Sequence, residues 1–167
     1  FDATQGAYAA ARHYGIPIEV GFASKEIEKH QSVEEYWRDC RYEWLHSLEH
    51  HPFICVIHHL DDCVETFIHS TLHGGVPKTI PYKRNNNVYR PFLTTTKVSL
   101  EEYAHRHQVS YINDPTNLDM TKQRNYIRRN LLPHCYKINP GLHKLVKNKI
   151  LASEKNLLTC DTESCIV

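Results

Sequence analysis

The chain has 167 residues, 41% hydrophobic and 23% charged, the balance of one globular domain long enough to bury its own core. No apolar run approaches the roughly 18 residues of a membrane span and no signal peptide is visible, so no membrane partner is expected. The net charge of +1 hides an asymmetry: residues 1–50 carry nine acids against five Lys or Arg, whereas residues 121–149 carry eight Lys or Arg and no acid. That basic stretch suits a polyanion such as RNA, or else a solvated helical surface.

Residues 3–13 carry Ala, Tyr and Arg at helical spacing and read as a helix closed by Gly15. Ile16 to Phe22 reads as a strand with Pro17 at its entrance. Ser32 followed by Glu35 is a capping-box pattern for a helix over about 33–50, with Val33, Tyr36, Trp37, Trp44, Leu45 and Leu48 as its apolar face. Arg38, Arg41 and Tyr42 lie on the same helix, where periodicity favours surface pairing of the arginines with Glu34, Glu35 or Asp39. Residues 53–58 are a continuous apolar run, as expected of a parallel strand buried on both faces. A helix follows from about Asp62 to Leu72 and stops at Gly74-Gly75.

Beyond a loop rich in Pro, Lys and Asn, Val88 to Leu93 is extended because of Pro91. Lys97 to His107 reads as a helix with Ser99 and Glu102 as its box. Val109 to Ile112 is a third strand, closed by the turn Asn113 to Asn117. Two basic helices, about 121–131 and 141–157, are separated by Pro133 and Pro140-Gly141. The tail 159–167 has no periodicity and is expected to fray.

Strands alternating with helices indicate an α/β fold with a doubly wound parallel sheet. The division expected is a partial α/β domain over 1–115, a basic helical extension completing it over 116–158, and the tail. Met120 is the only methionine and the pattern opens directly on a helix. The chain is therefore expected to be an internal piece of a longer protein, lacking the first strand of its sheet. The six cysteines, at 40, 55, 63, 135, 160 and 165, form no C-x-x-C pair. Cys55, inside a strand-like run, is expected to be a buried reduced thiol, and the compartment expected is therefore reducing and cytoplasmic.

The chain is organised around Ile54 to Thr66, where an apolar run ends in His58-His59 and Asp61-Asp62 open a helix. Asp61, Asp62 and Glu65 stand three and four residues apart, a spacing that shares one helical face. Carboxylates at a helix start are stabilised by the unpaired N–H groups there, and ligands of open α/β sheets gather at such strand ends. Spacing alone leaves two readings open, an Asp62/Glu65 capping box and an active-site edge.

Four stretches in order resemble the tRNA(Ile)-lysidine synthases of the PP-loop (N-type ATP pyrophosphatase) group. His58-His59-Leu60-Asp61-Asp62-Cys63-Val64-Glu65-Thr66 is similar to the family's HH-x-DD-x-x-ET, and Arg90-Pro91-Phe92-Leu93 to its RPLL. Asp114-Pro115-Thr116-Asn117, then Arg124-Asn125-Tyr126-Ile127-Arg128 and Leu132-Pro133, resemble DP-[ST]-N…RN-x-IR…LP. Ser32 to Tyr42 resembles its S-[LV]-E-x-x-x-R-x-x-RY helix. The resemblance implies an adenine-nucleotide α-hydrolase-like fold. It also implies an enzyme that uses ATP and Mg²⁺ to adenylate the wobble cytidine of tRNA(Ile), after which L-lysine displaces AMP.

By that resemblance His58, Arg38 and Arg128 contact the nucleotide. Asp62 and Glu65 are catalytic, with Asp62 also the Mg²⁺ ligand, and Arg124, Asn125, Arg129 and Lys137 meet the tRNA. Arg124 and Arg128, one turn apart, are expected to face the triphosphate or tRNA together. The sequence departs from the family in three places. Its Gly-rich SGG-x-DS loop does not occur in residues 1–167, so the isolated chain is expected to form no lysidine. Cys63 stands where many relatives carry glutamine, and R-G-[ST]-G reads His73-Gly74-Gly75. The rival readings are a PP-loop tRNA thiolase, a non-catalytic RNA- or nucleotide-binding remnant, and a metal-dependent phosphohydrolase using His58, His59, Asp61 and Asp62. Nothing in the sequence fixes the oligomeric state.

Overall fold

The structure, a computed structural model, describes residues 3–22, 32–48, 50–84 and 87–163. The chain divides into two compact units, residues 1–54 and 55–167.

In the first unit, helix α1 spans Ala3–Tyr14. Gly15 takes φ +63°, and the N–H groups of Gly15 and Ile16 bond the carbonyls of Arg12 and Ala11. This is a complete Schellman cap, which needs a left-handed residue where glycine sits. Residues 16–22 are extended but join no ladder among the described residues, contrary to the expected strand. A strand is a relation between two segments, and the alternating pattern of one segment cannot supply the other. Helix α2 spans Val33–Ser47, ending before the expected residue 50, and the Ser32 hydroxyl accepts from the Glu35 N–H at 3.1 Å. Only Tyr36 and Leu45 of its expected apolar face are buried, while Val33, Trp37 and Trp44 are exposed.

The second unit holds the buried core. Strand β1 (Ile54–Cys55) lies at the edge of a three-stranded sheet ordered β1-β3-β2, with β2 at Lys83–Arg84 and β3 at Val88–Tyr89. β2 and β3 are antiparallel, with Lys83 opposite Tyr89, so the described ladder departs from the doubly wound parallel sheet expected. The molecule is mixed α/β with a small sheet. Cys55, expected buried, is exposed, on the strand that lies at the sheet's edge among the described residues. Residues 109–112 form no strand either.

Helix α3 (Leu60–Leu72) places Leu60, Cys63 and Val64 inward at helical spacing. They meet Leu142, Val146 and Ile150 of helix α7 (Leu142–Glu163), together with Leu93, Ile127 and Leu132. Each such side chain contributes about 1.5–3 kcal/mol when fully buried. The Arg90-Pro91-Phe92-Leu93 motif serves this core, with Arg90 and Leu93 both 1% exposed. Arg90 Nη1 donates to the Pro81 carbonyl at 2.8 Å. α7 runs through residue 163, so it includes part of the tail expected to fray, while residues 164–167 lie outside the described residues.

Helix α4 spans Lys97–Arg106, and its cap is Thr96, whose hydroxyl accepts from the Ser99 N–H, rather than the expected Ser99/Glu102 box. A 3₁₀ turn, Pro115–Leu118, leads to α5 (Gln123–Tyr126), a π turn (Ile127–Leu131) and α6 (Leu132–Ile138), one after another without a break. The sequence puts a helix end at Pro133. The chain instead widens, with the Leu132 N–H bonded to the Ile127 carbonyl five residues back, and Pro133 falls in the first turn of α6. A proline is tolerated there because the widened turn has already interrupted the regular pattern of bonds four residues back that its missing N–H would otherwise break.

Candidate active site

The start of α3 is set by its cap. His59 is extended and stands as the N-cap residue, its N–H donating to Asp62 Oδ2 at 2.9 Å while Asp62 N–H donates to His59 Nδ1 at 3.3 Å. The capping box is therefore His59/Asp62, one turn earlier than the Asp62/Glu65 box that spacing offers. This leaves Glu65 without a capping task. The three carboxylates also part company, since Asp62 and Glu65 turn to one partner and Asp61 to others.

Arg128, on the π turn, is that partner. Its Nε and Nη2 donate to the two carboxylate oxygens of Glu65, the second at 3.0 Å, and Nη2 also lies 3.4 Å from Asp62 Oδ1. Nη1 donates to Asn117 Oδ1 at 3.3 Å, which brings the Asp114–Asn117 turn to the same guanidinium. Bidentate guanidinium–carboxylate pairing of this kind is charge-assisted and orientation-specific. Glu65 is buried at 4% exposure, and burial raises its carboxyl above the ordinary carboxylate range although Arg128 pulls the other way. Arg128, one-third exposed, pairs with these carboxylates, while Arg124, expected to face a ligand with it, is exposed on α5.

Asp61 has its own set of donors. Its Oδ2 accepts the Lys97 N–H at 2.7 Å and its Oδ1 lies 3.0 Å from His143 Nε2. Burial alone would raise this carboxyl, but the Lys97 amide and His143 outweigh it and hold it below the usual range. Tyr136 hydroxyl is 3.1 Å from the same His143 nitrogen.

The other expected residues are placed as follows. His58 is half-buried on the extended segment that enters α3. Asn125 is buried, and its amide nitrogen donates to the carbonyls of Thr116 and Asp119 at 2.9 and 2.8 Å. It staples the turn to α5, and this brings Asn117 to Arg128. Arg124, Arg129 and Lys137 are exposed along α5 to α6. Arg38, in the first unit, is exposed on α2 with Nε 3.6 Å from Asp39 Oδ1, the surface pairing that periodicity favours. Tyr136 and His143 were not singled out by the sequence, because nothing marks them apart from neighbouring helix positions, whereas Asn117 closes the Asp114–Asn117 motif without a role of its own assigned to it.

Among the described residues no group of three or more His, Cys, Asp or Glu side chains is arranged to hold a metal ion. Asp62, one-fifth exposed, fits a looser mode in which Mg²⁺ takes one or two carboxylates and completes its shell with phosphate oxygens and water. Among the described residues no helix is long and apolar enough to cross a membrane.

The site thus gathers two carboxylates at the N-terminal end of α3 around an arginine from a distant turn. A family model described as a PP-loop domain matches residues 3–135, and the chain belongs to that family. Its relatives include proteins named tRNA(Ile)-lysidine synthase. That of Porphyromonas gingivalis is 32% identical over 136 residues, covering 78% of this chain and 29% of the relative. That of Legionella pneumophila is 35% identical over 136 residues, covering 76% and 32%. That of Bacteroides thetaiotaomicron is 33% identical over 152 residues, covering 86% and 35%. The chain thus spans about a third of the length of these relatives.

Proposed function

We propose that the chain is the PP-loop part of a tRNA-modifying ligase that joins L-lysine to the wobble cytidine of tRNA(Ile) at the expense of ATP. The observation that carries the reading is Arg128 bridging Glu65, Asp62 and Asn117, which joins two of the four resembling stretches around one guanidinium. The named relatives support the same activity.

In the first step the cytidine C2 oxygen attacks the α-phosphorus of ATP and pyrophosphate leaves. In the second the ε-amine of lysine attacks C2, and AMP leaves with that oxygen. The amine is protonated at neutral pH, so a base has to take its proton before it attacks. Glu65 suits that task because burial raises its carboxyl above the ordinary range, and Asp62, one turn away, is the more exposed of the two. Mg²⁺, when bound at Asp62, would neutralise polyphosphate charge. Arg128 offsets carboxylate charge in the resting site and is proposed to turn toward a nucleotide phosphate. His58 and Arg38 are proposed nucleotide contacts, and the exposed Arg124, Arg129 and Lys137 are proposed to meet tRNA phosphates together with Asn125 at the base of their helix. The site is proposed to work in the cytoplasm.

The test is formation of lysidine from ATP, lysine and tRNA(Ile), measured by nucleoside mass spectrometry. The whole protein containing these residues is expected to form it, and residues 1–167 alone are not. A whole protein that binds tRNA(Ile) and Mg·ATP yet yields no lysidine would sink the assignment. For Arg128→Ala, loss of ATP or tRNA binding with lysine binding intact is expected. Unchanged binding of both would return Arg128 to a purely structural ion pair.

A further inference from the structure

Asp61 has no part in the reaction proposed above, yet it has the most complete set of partners at the start of α3. One of its oxygens takes the first amide of α4, and the other faces His143 of α7. An ionised carboxylate only accepts, so the proton of this imidazole sits on Nε2 and is donated to Asp61. Tyr136 braces the ring by stacking on it, with centroids 4.8 Å apart and planes 15° from parallel, and its hydroxyl, 3.1 Å from Nε2, can only accept a share of the proton that Nε2 gives to Asp61. The imidazole therefore cannot swing away without leaving the stack.

His143 is the second residue of α7, beside Leu142 and one turn before Val146, both buried against the core that includes α3. Apolar packing already docks α7. The polar link adds something packing does not, a fixed direction at the turn of α3 where Asp62 and Glu65 project. Groups that must meet reacting atoms lose efficiency steeply with misplacement of about 1 Å.

We propose that His143 is a positioning residue for the carboxylate site: its Nε2–H, braced by Tyr136, pins Asp61 and so fixes the first turn of α3, from which Asp62 and Glu65 meet Arg128. Its catalytic consequence rests on the function proposed above, whereas its structural consequence does not.

His143→Phe keeps a ring for the Tyr136 stack and removes the donor, and His143→Gln keeps a donor. In the ¹⁵N-labelled 167-residue chain the reporters are the Arg128 Nε–H resonance, hydrogen-bonded to Glu65, and the Asp62 amide. The Phe variant, with unchanged circular dichroism, is expected to lose the Arg128 resonance to exchange and to shift the Asp62 amide, and the Gln variant to keep both. Both reporters unmoved in the folded Phe variant overturns the proposal. Should that variant not fold, Asp61→Asn is expected to shift the same two signals, and unmoved signals there overturn it equally. In the whole protein the Phe variant is expected to lower kcat for lysidine formation about tenfold while the KM for ATP stays within about twofold, with recovery in the Gln variant. A wild-type protein that forms no lysidine refutes the functional reading alone, because the two resonances need no turnover.

Discussion

Arg128 and Glu65, 63 residues apart in sequence, share a bidentate ion pair in which the acid is buried and the arginine is one-third exposed. Removing the arginine leaves a buried carboxylate without its counter-charge. Breaking such a pair costs about 3–5 kcal/mol when both partners are buried, and the exposure of Arg128 lowers this to about 1–3 kcal/mol. Arg128→Ala is expected to lower the urea midpoint accordingly at pH 7. The pH dependence has a definite sign. Because the folded carboxyl of Glu65 is raised above its unfolded value of 4.5, its ionisation opposes folding as pH rises through the folded pKa. The defect of Arg128→Ala is therefore expected to shrink toward pH 4, as seen by paired denaturation curves. A defect that grows on acidification would show that Glu65 is not the group left exposed.

Asp62 has a capping role and a proposed chemical one, and a single substitution separates them. Asp62→Asn keeps an oxygen to accept the His59 N–H, so thermal stability is expected to stay near wild type. Asp62→Ala loses that bond at a cost of about 0.5–2 kcal/mol. Both are expected to abolish lysidine formation in the whole protein. An active Asn variant would confine Asp62 to the cap.

Helix α4 ends on Gln108 with φ 54°, and the Val109 N–H reaches back to the Ala104 carbonyl at 2.8 Å. This is a Schellman cap whose left-handed position holds a side chain where Gly15 serves in α1. The left-handed conformation costs an L-residue about 1–2 kcal/mol, partly offset in glycine by greater unfolded-state freedom. Gln108→Gly is expected to raise stability by about 0.5–1 kcal/mol, read as a higher melting temperature.

Cys63 is fully buried, and burial pushes its thiol up from 9.0 to about 12, whereas Cys55 lies exposed on the edge strand. The thiolate is the reactive form, so brief iodoacetamide treatment at pH 8 is expected to label Cys55 and leave Cys63 unmodified until denaturant is added. Peptide mass spectrometry reads both sites. Equal labelling in the native chain would mean that α3 opens readily from α7.

Much of the helical framework is legible in the sequence, because apolar spacing and the caps at Gly15 and Ser32 are local signals. The α3 start was harder, since histidine is an unusual N-cap and His59 offers only a ring nitrogen. The strands were the least legible. Residues 16–22 and 109–112 have strand-like composition, but pairing is a property of two segments. Asp62, Glu65 and Arg128 were each legible as candidates, and their mutual pairing was not, because ion pairing across the fold leaves no trace in spacing. His143 and Tyr136 were hidden for the same reason, as ordinary members of basic helices.

The π turn at Ile127–Leu131 amounts to one residue more than an α-helix would use over the same rise. An α-helix that took in one more residue without widening would turn everything beyond it by about 100°. The wide turn absorbs the residue instead, so the cations behind it keep their phase relative to those ahead. Deleting one residue within the turn, Asn130 for instance, would restore α geometry and leave Lys137 on the side of the rod it now occupies. The turn thus acts as a phase buffer, taking up a change of chain length that a plain α-helix would pass on as rotation.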